Sequence, residues 1–356
     1  MNSRDRILAA MYLEEPDEVP LFDFIVNPRT LEGITGKKGV RVNGTPDEYL
    51  EANKALHLDM IAVYEDGMPW KTKIVAPGLE EDEWRIRWRP REDAFIGFYA
   101  GGPIRNEEDL ETFQIPDPHA PGRLQTAKAV LKIVDGQMAV GYVVNGPFTH
   151  AFMLNGGLDN FVRNLYVNPR FASRLVEMAK GFYIELGKQC IDLGSEVLIV
   201  ADDYGHKGGP LISPKLFREY IFPALKEMID CFKKRGAAIF FHSDGNVNLI
   251  MDDLVRMGIQ CINPIERKAG MDLEEIKRRY GERVCLHGNL DATGLMYKGT
   301  RQDIHKQVKE CYEIGAPGGG YIFGTDGGEI PPHVSPETAK FTFDTALKYR
   351  AYPYAS

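Results

Sequence analysis

The chain is expected to fold as an α/β protein, a (β/α)8 TIM barrel with an antiparallel insertion near residues 68–100. Three observations predict this. Eight short apolar runs alternate with helical stretches, the pattern of a parallel sheet with right-handed crossovers. The runs end one after another on polar residues: Asn145, Asp202-Asp203, His242 with Asp244, Asn263 with Glu266, His287 with Asn289, and Thr325-Asp326. In a closed barrel such ends meet on one face around one axis. In the alternative, an open doubly wound sheet, they spread along an edge and converge only at the switch point. Residues 68–100, finally, alternate polar and apolar as half-exposed antiparallel strands do.

The elements follow in order. Residues 3–14 read as a short amphipathic helix, 19–24 as a first buried strand, 47–56 as a helix and 60–64 as a second strand. The runs 71–75, 84–88 and 94–98 belong to the insertion, and 106–136 is a helix-rich connection. The other six strands fall at 138–144, 196–201, 237–241, 260–262, 283–286 and 320–323. Helices fall at 157–166, 169–193, 213–235, 247–257, 271–280, 301–314 and 336–350. Asn168-Pro169, Ser213-Pro214 and Ser335-Pro336 are helix starts, and Gly315 is a stop. One domain is expected to span residues 1–356, with no internal repeat and no low-complexity segment.

Composition narrows the function. The 356 residues are 44% hydrophobic, enough for a full core. A net charge of −8 without a basic stripe argues against nucleic acid as the partner. Five scattered cysteines without a C-x-x-C pair suit a reducing compartment. The apolar run Ile7 to Met11 is too short for a signal peptide, and no stretch approaches the ~18 apolar residues of a membrane span. The expectation is a cytoplasmic protein with a small-molecule substrate.

The stretch 239–246 organises the rest. A buried strand stops on His242, and Asp244 follows two residues later, on the same face if the strand persists. A nitrogen and a carboxylate converging at a barrel strand end suit a metal or acid/base site. The plain alternative is a histidine hydrogen-bonded to a turn aspartate.

Several stretches carry a resemblance. Asn145-Gly146-Pro147-Phe148-Thr149, Ala201-Asp202-Asp203-Tyr204-Gly205, Phe241-His242-Ser243-Asp244-Gly245, Gly270-Met271-Asp272, His287-Gly288-Asn289-Leu290-Asp291 and Gly318-Gly319-Gly320-Tyr321-Ile322 look like the uroporphyrinogen decarboxylase superfamily, most strongly from 138 to 352. The fold this implies is the same barrel. The true decarboxylases hold their tetrapyrrole with an arginine-rich motif after the first strand; here Phe24 to Thr30 contains one arginine, Arg29. The corrinoid-dependent methyltransferases acting on coenzyme M bind zinc through His-x-Cys at the fifth strand and a Cys near the eighth. His242 matches that histidine, Asp244 stands for the first cysteine and Gly328 about where the second would be.

That departure has chemical meaning. Thiolates keep a bound thiol nucleophilic, whereas imidazole and carboxylate leave zinc a stronger Lewis acid, suited to an oxygen leaving group. The resemblance therefore implies the first methyltransferase of an O-demethylase system. It would move a methyl group from an O-methyl compound, expected to be a methoxylated aromatic, to the cobalt of a separate corrinoid protein that carries cobalamin. Zinc ligands are then expected at His242, Asp244, Glu266 and His287; the plain readings are an ion pair of Glu266 with Arg267 or Lys268 and a structural His287. Cys285 lies too deep in its strand to be a good ligand.

Of the two aspartates after the fourth strand, Asp203 is expected to face the pocket as acid/base or orienting group and the other to cap the loop. Tyr204 would donate to a leaving oxygen. Phe148, Phe152, Trp70, His206 and Asn289 are candidate substrate contacts, although aromatics are more often core. The Gly-rich run 315–320 precedes a strand, so it is not a phosphate loop. The rivals are a metal-free decarboxylase or lyase, a thiol (coenzyme M) methyltransferase, and a barrel kept as a binding module. A homodimer stays open.

Overall fold

A computed structural model describes residues 1–38, 45–66, 72–91 and 97–354. In chain order its strands are β1 (Met60–Val63), β2 (Lys73–Ala76), β3 (Leu79–Glu81), β4 (Arg87–Arg89), β5 (Phe98–Gly101), β6 (Ala139–Asn145), β7 (Val197–Ala201), β8 (Gly205–His206), β9 (Gly209–Pro210), β10 (Ala238–His242), β11 (Cys261–Asn263), β12 (Cys285–Leu290) and β13 (Tyr321–Thr325). Seven of them form a parallel sheet in the order β1-β6-β7-β10-β11-β12-β13. They are buried almost throughout, as strands covered on both faces must be.

Residues 20–24 take the eighth place in the ring, through bridges rather than a regular strand. Towards β13, Phe323 N donates to Pro20 O at 2.9 Å, Phe22 N to Phe323 O at 3.0 Å and Phe24 N to Gly328 O at 2.8 Å. Towards β1, Asp59 N donates to Leu21 O at 2.8 Å. The expected first strand at 19–24 is thereby corrected. Pro20 has no N–H to give to a ladder, and Asp23 directs its carboxylate at Thr325 N (2.9 Å) and Oγ1 (3.0 Å). Below the sheet, Asp59 gathers Ser3 Oγ at 2.6 Å, Leu21 N at 2.9 Å and Arg350 Nη2 at 2.8 Å, tying the start and end of the chain to β1.

Among the described residues the remaining expected strands and helices are present, with shifted ends; most of the run expected at 94–98 lies outside them. One shift matters for function: β12 runs on to Leu290 rather than stopping at 286, so His287 and Asn289 lie inside the strand. Side-chain caps explain the helix starts. Asn168, Ser213, Asp272, Thr300 and Ser335 each accept a backbone N–H from the first turn. The stretch 213–235 is not one α-helix: a π-type turn, Phe217–Ile221, precedes the helix Phe222–Lys234, where Pro223 has no N–H for the turn before it. Helix Pro147–Leu154, unforeseen from the sequence, follows β6 directly and caps the barrel mouth.

The insertion is a separate antiparallel sheet, β2-β3-β4-β5. Trp88 on β4 pairs with Glu80 and Tyr99, outside the parallel sheet as expected. Its indole donates to Asp82 Oδ2 at 2.7 Å. Two contacts hold this sheet over the mouth. Tyr99 OH donates to Met153 O at 2.8 Å, and buried Arg123 joins Glu65, after β1, at 2.8 Å to Glu83 at 2.6 Å. Parts of the expected insertion, 68–71 and 92–96, lie outside the described residues, and Trp70 with them. No described helix is long and apolar enough to cross a membrane.

Candidate metal centre

The C-terminal strand ends open into a pocket of about 300 Å³. One wall is polar: Asp203 after β7, His242 at the end of β10, Asp244 two residues on, and Glu329 after β13. The other walls are largely apolar and aromatic, with Phe24 and Tyr64 from the barrel, Trp88 from the inserted sheet, Met153 from helix Pro147–Leu154 and Tyr183 from helix Pro169–Asp192.

Asp203, His242 and Asp244 each bring one donor atom to a cluster whose members all lie within 4.8 Å of one another. His242 Nε2 is 3.9 Å from Asp203 Oδ1 and 3.9 Å from Asp244 Oδ1. Donors around a tetrahedral zinc stand ~3.3 Å apart for bonds of ~2.0 Å, so each carboxylate needs to close on His242 Nε2 by about 0.6 Å. Both carboxylates are about half exposed to the pocket, at 44% and 53%, free to make that movement. Asp203 Oδ1 also accepts from Asp244 N at 3.1 Å, which sets the two carboxylates side by side. Gly245 lets the loop turn here. Its φ is +84°, and a β-carbon would stand 2.2 Å from the carbonyl carbon of Gly205.

The electrostatics favour a cation. Although half exposed to the pocket, the Asp244 carboxyl lies deep enough between its walls to lose much of its water, which pushes it up to about 7; His242 opposes this, and Asp203, Glu266 and Glu329 add to it. For His242 burial acts downwards, but Asp244 and Asp203 outweigh it and hold the imidazole above its ordinary range. Glu329 is likewise raised, by burial first, with His242 pulling it down. Several carboxylates around one imidazole are stabilised by a proton or a metal ion, and a metal takes the site by displacing that proton. The donors are one nitrogen and oxygens, and they fit zinc held without sulfur.

Other expected site residues lie elsewhere. Glu266 Oε2 accepts from Gly245 N at 2.6 Å and holds the loop; it is not among the clustered donors. His287 is fully buried, with Nε2 on Phe22 O at 2.9 Å and Nδ1 on Asn263 Nδ2, so neither nitrogen is left for a metal. Burial pushes its imidazole down to about 4. Asn289 donates to Ile265 O at 3.0 Å and receives Arg267 at 3.0 Å, inside β12. Tyr204 is fully buried among Phe148, Phe217, Phe222 and Phe241, and neither Tyr204 nor Phe148 lines the pocket. Phe152 packs on Phe148, and the exposed His206 receives Gly208 N at 3.1 Å in the β8–β9 hairpin. Asp202 is the loop-capping aspartate, accepting Phe148 N at 3.1 Å and Thr149 N at 2.6 Å at the start of helix Pro147–Leu154.

Two residues were given no role at the site by the sequence reading. Asn263 accepts His242 Nδ1 at 2.5 Å, and its place at the end of the neighbouring strand was the available signal. Glu329 follows Gly328, the position compared with a cysteine ligand; a carboxylate one residue further was the clue.

The family model for uroporphyrinogen decarboxylase (URO-D) matches residues 97–349. The chain belongs to the uroporphyrinogen decarboxylase family. Relatives with two different names match the chain. A methylcobamide:CoM methyltransferase, MtbA, of Methanosarcina mazei is 24% identical over 60% of this chain and 61% of its own length. A uroporphyrinogen decarboxylase of Neisseria gonorrhoeae is 25% identical over 68% of each chain. The aligned part thus spans less than two thirds of the methyltransferase. Among solved structures, a methyltransferase from Methanosarcina mazei superposes with a TM-score of 0.78 at 19% identity, covering 98% of this chain and 99% of that one. This likeness supports the family's barrel as the fold.

Proposed function

We propose that this protein is a zinc-dependent methyltransferase that moves a methyl group from an O-methyl compound, a methoxylated aromatic, to the cobalt of a separate corrinoid protein. The observation that carries the reading is the cluster of Asp203, His242 and Asp244 on the floor of an aromatic-walled pocket. These three residues would hold the metal. When bound, zinc in this oxygen and nitrogen set supplies Lewis acidity towards an ether oxygen and stabilises the alkoxide or phenolate that leaves. The partner's corrinoid supplies the nucleophile.

The chain's own residues supply position. Trp88, Tyr64 and Tyr183 offer faces and edges to an aryl ring, and Phe24 closes the side next to His242, its ring centroid 5.6 Å from the imidazole. Asp203 is therefore read as a metal-holding carboxylate rather than as a free acid or base. Two of its neighbours support this: His242, and Asp244 with the N–H that Asp203 accepts. The acceptor protein would dock over the strand C-termini, where the pocket opens.

Two rivals fit less well. The pocket's described lining holds Glu65, Asp203, Asp244 and Glu329 and no arginine, whereas a tetrapyrrole bearing several carboxylates calls for cations. Arg29 is exposed on helix Pro28–Thr35, away from the lining. A thiol acceptor calls for thiolate ligands, and all five cysteines lie outside the cluster.

The test is the visible spectrum of a reduced corrinoid protein mixed with this enzyme and a panel of aryl methyl ethers. Methyl-cobalt formation, lost in His242→Ala, is the expected result. Methylation of coenzyme M from methylcobalamin, with no ether reacting, would overturn it.

A further inference from the structure

We infer that Asn263 and His287 form a positioning relay, anchored on the Phe22 carbonyl, that fixes the tautomer of His242 and leaves its Nε2 bare towards Asp203 and Asp244. The inference deepens the metal-centre reading and rests on it. The relay begins at an atom whose role cannot be inverted. A backbone carbonyl only accepts, so His287 Nε2, 2.9 Å from Phe22 O, carries the proton. A neutral imidazole protonated there has its lone pair on Nδ1, and that nitrogen faces Asn263 Nδ2. The amide NH2 donates to it, which turns the amide oxygen towards His242 Nδ1, 2.5 Å away. That oxygen accepts, so His242 Nδ1 is the protonated nitrogen. Nε2, 3.9 Å from both carboxylates, is left with its lone pair, as a metal ligand must be.

The reversed amide is excluded by burial. It would set an oxygen against His287 Nδ1 and require an imidazolium at a fully buried position. Among the described residues the hydrogen-bond partners of His287 are Phe22 O and Asn263, neither of them charged.

The surroundings are shaped to the relay. A β-carbon at Gly324 would stand 2.3 Å from His287 Nε2 and 2.4 Å from Phe22 O, so only glycine leaves room for that hydrogen bond. At Gly328, with φ +67°, a β-carbon would stand 3.0 Å from Asn263 Oδ1. Phe22 and Phe240 meet His287 edge-on, at 5.5 and 5.6 Å between centroids, and hold its plane. Neither Asn263 nor His287 lines the pocket; both act through His242.

Heteronuclear NMR of metal-free protein, labelled on the histidine ring nitrogens and held at mildly alkaline pH, tests this directly. His242 should show a protonated Nδ1 and a bare Nε2, and His287 the reverse. Zinc should shift the bare Nε2 of His242. Asn263→Ala should abolish the single tautomer and weaken zinc binding by about 10–100-fold. Asn263→Asp, which keeps an acceptor for His242 Nδ1 but loses the donor to His287 Nδ1, should recover only part of that loss. A neutral metal-free His242 that carries its proton on Nε2 and has a bare Nδ1, or unchanged zinc affinity in a folded Asn263→Ala, would overturn the relay. If neither variant folds, the tautomers of the unaltered protein decide. None of these readouts uses a methyl donor, so inactivity towards ethers with this tautomer pattern intact would count against the proposed reaction and leave the relay standing.

Discussion

Glu266 Oε2 accepts a 2.6 Å hydrogen bond from Gly245 N, the residue after Asp244. The carboxylate expected to complete a ligand set instead holds the loop that carries Asp244. Glu266→Gln keeps an acceptor for that N–H and should retain zinc within a few-fold of the unaltered protein. Asp203→Asn, which removes a clustered carboxylate, should weaken zinc by at least about tenfold, more than the change expected of an outer partner. Competition against a chromophoric chelator measures both. Equal losses in the two variants would return Glu266 to the ligand set.

Tyr204 provides a second separation of pocket from core. Its ring centroid lies 4.6 Å from that of Phe217 and 5.4 Å from that of Phe241. Tyr204→Phe should leave methyl transfer within about twofold and stability within about 1 kcal/mol, the usual scale of one hydrogen bond. A tenfold fall in kcat without a change in melting temperature would restore the tyrosine to a chemical role.

His150 makes a pH prediction. It is buried beside Trp84, with ring centroids 4.3 Å apart, and burial pushes its imidazole down to about 3. A depressed pKa means that the unfolded chain takes up the proton first. The stability this neutral histidine allows is complete above ~6.5 and is lost as pH falls towards 3. Between pH ~6.5 and ~5, the unaltered protein should lose about 2 kcal/mol more than His150→Phe. Denaturant unfolding of both proteins across that window measures it. Parallel pH profiles would mean that His150 takes up its proton as readily in the folded state as in the unfolded chain.

The barrel was readable because its signal is repeated. Strand after strand ends in a polar residue, and one misjudged end does not change the count. The site was harder, because it depends on single ends. His287 lies just past the expected strand end at 286, yet β12 continues to Leu290, so the ring is buried inside the sheet, as the plain structural reading of it has it. Glu266 lies three residues beyond β11, where alternation no longer says which way a side chain points. Asp244 is only two residues beyond His242, and there the alternation still held. The segment 20–24 was readable as buried and apolar but not as irregular, since its partners are Phe323 and Gly328, some three hundred residues away.

X-ray absorption at the zinc edge of the loaded protein tests the central claim most directly, because it reads the atoms around the metal whatever the substrate. The account predicts one imidazole nitrogen with oxygen donors at ~2.0–2.2 Å and no sulfur, and loss of the imidazole signal in His242→Ala. A sulfur shell near ~2.3 Å, or a spectrum unchanged by His242→Ala, would contradict it.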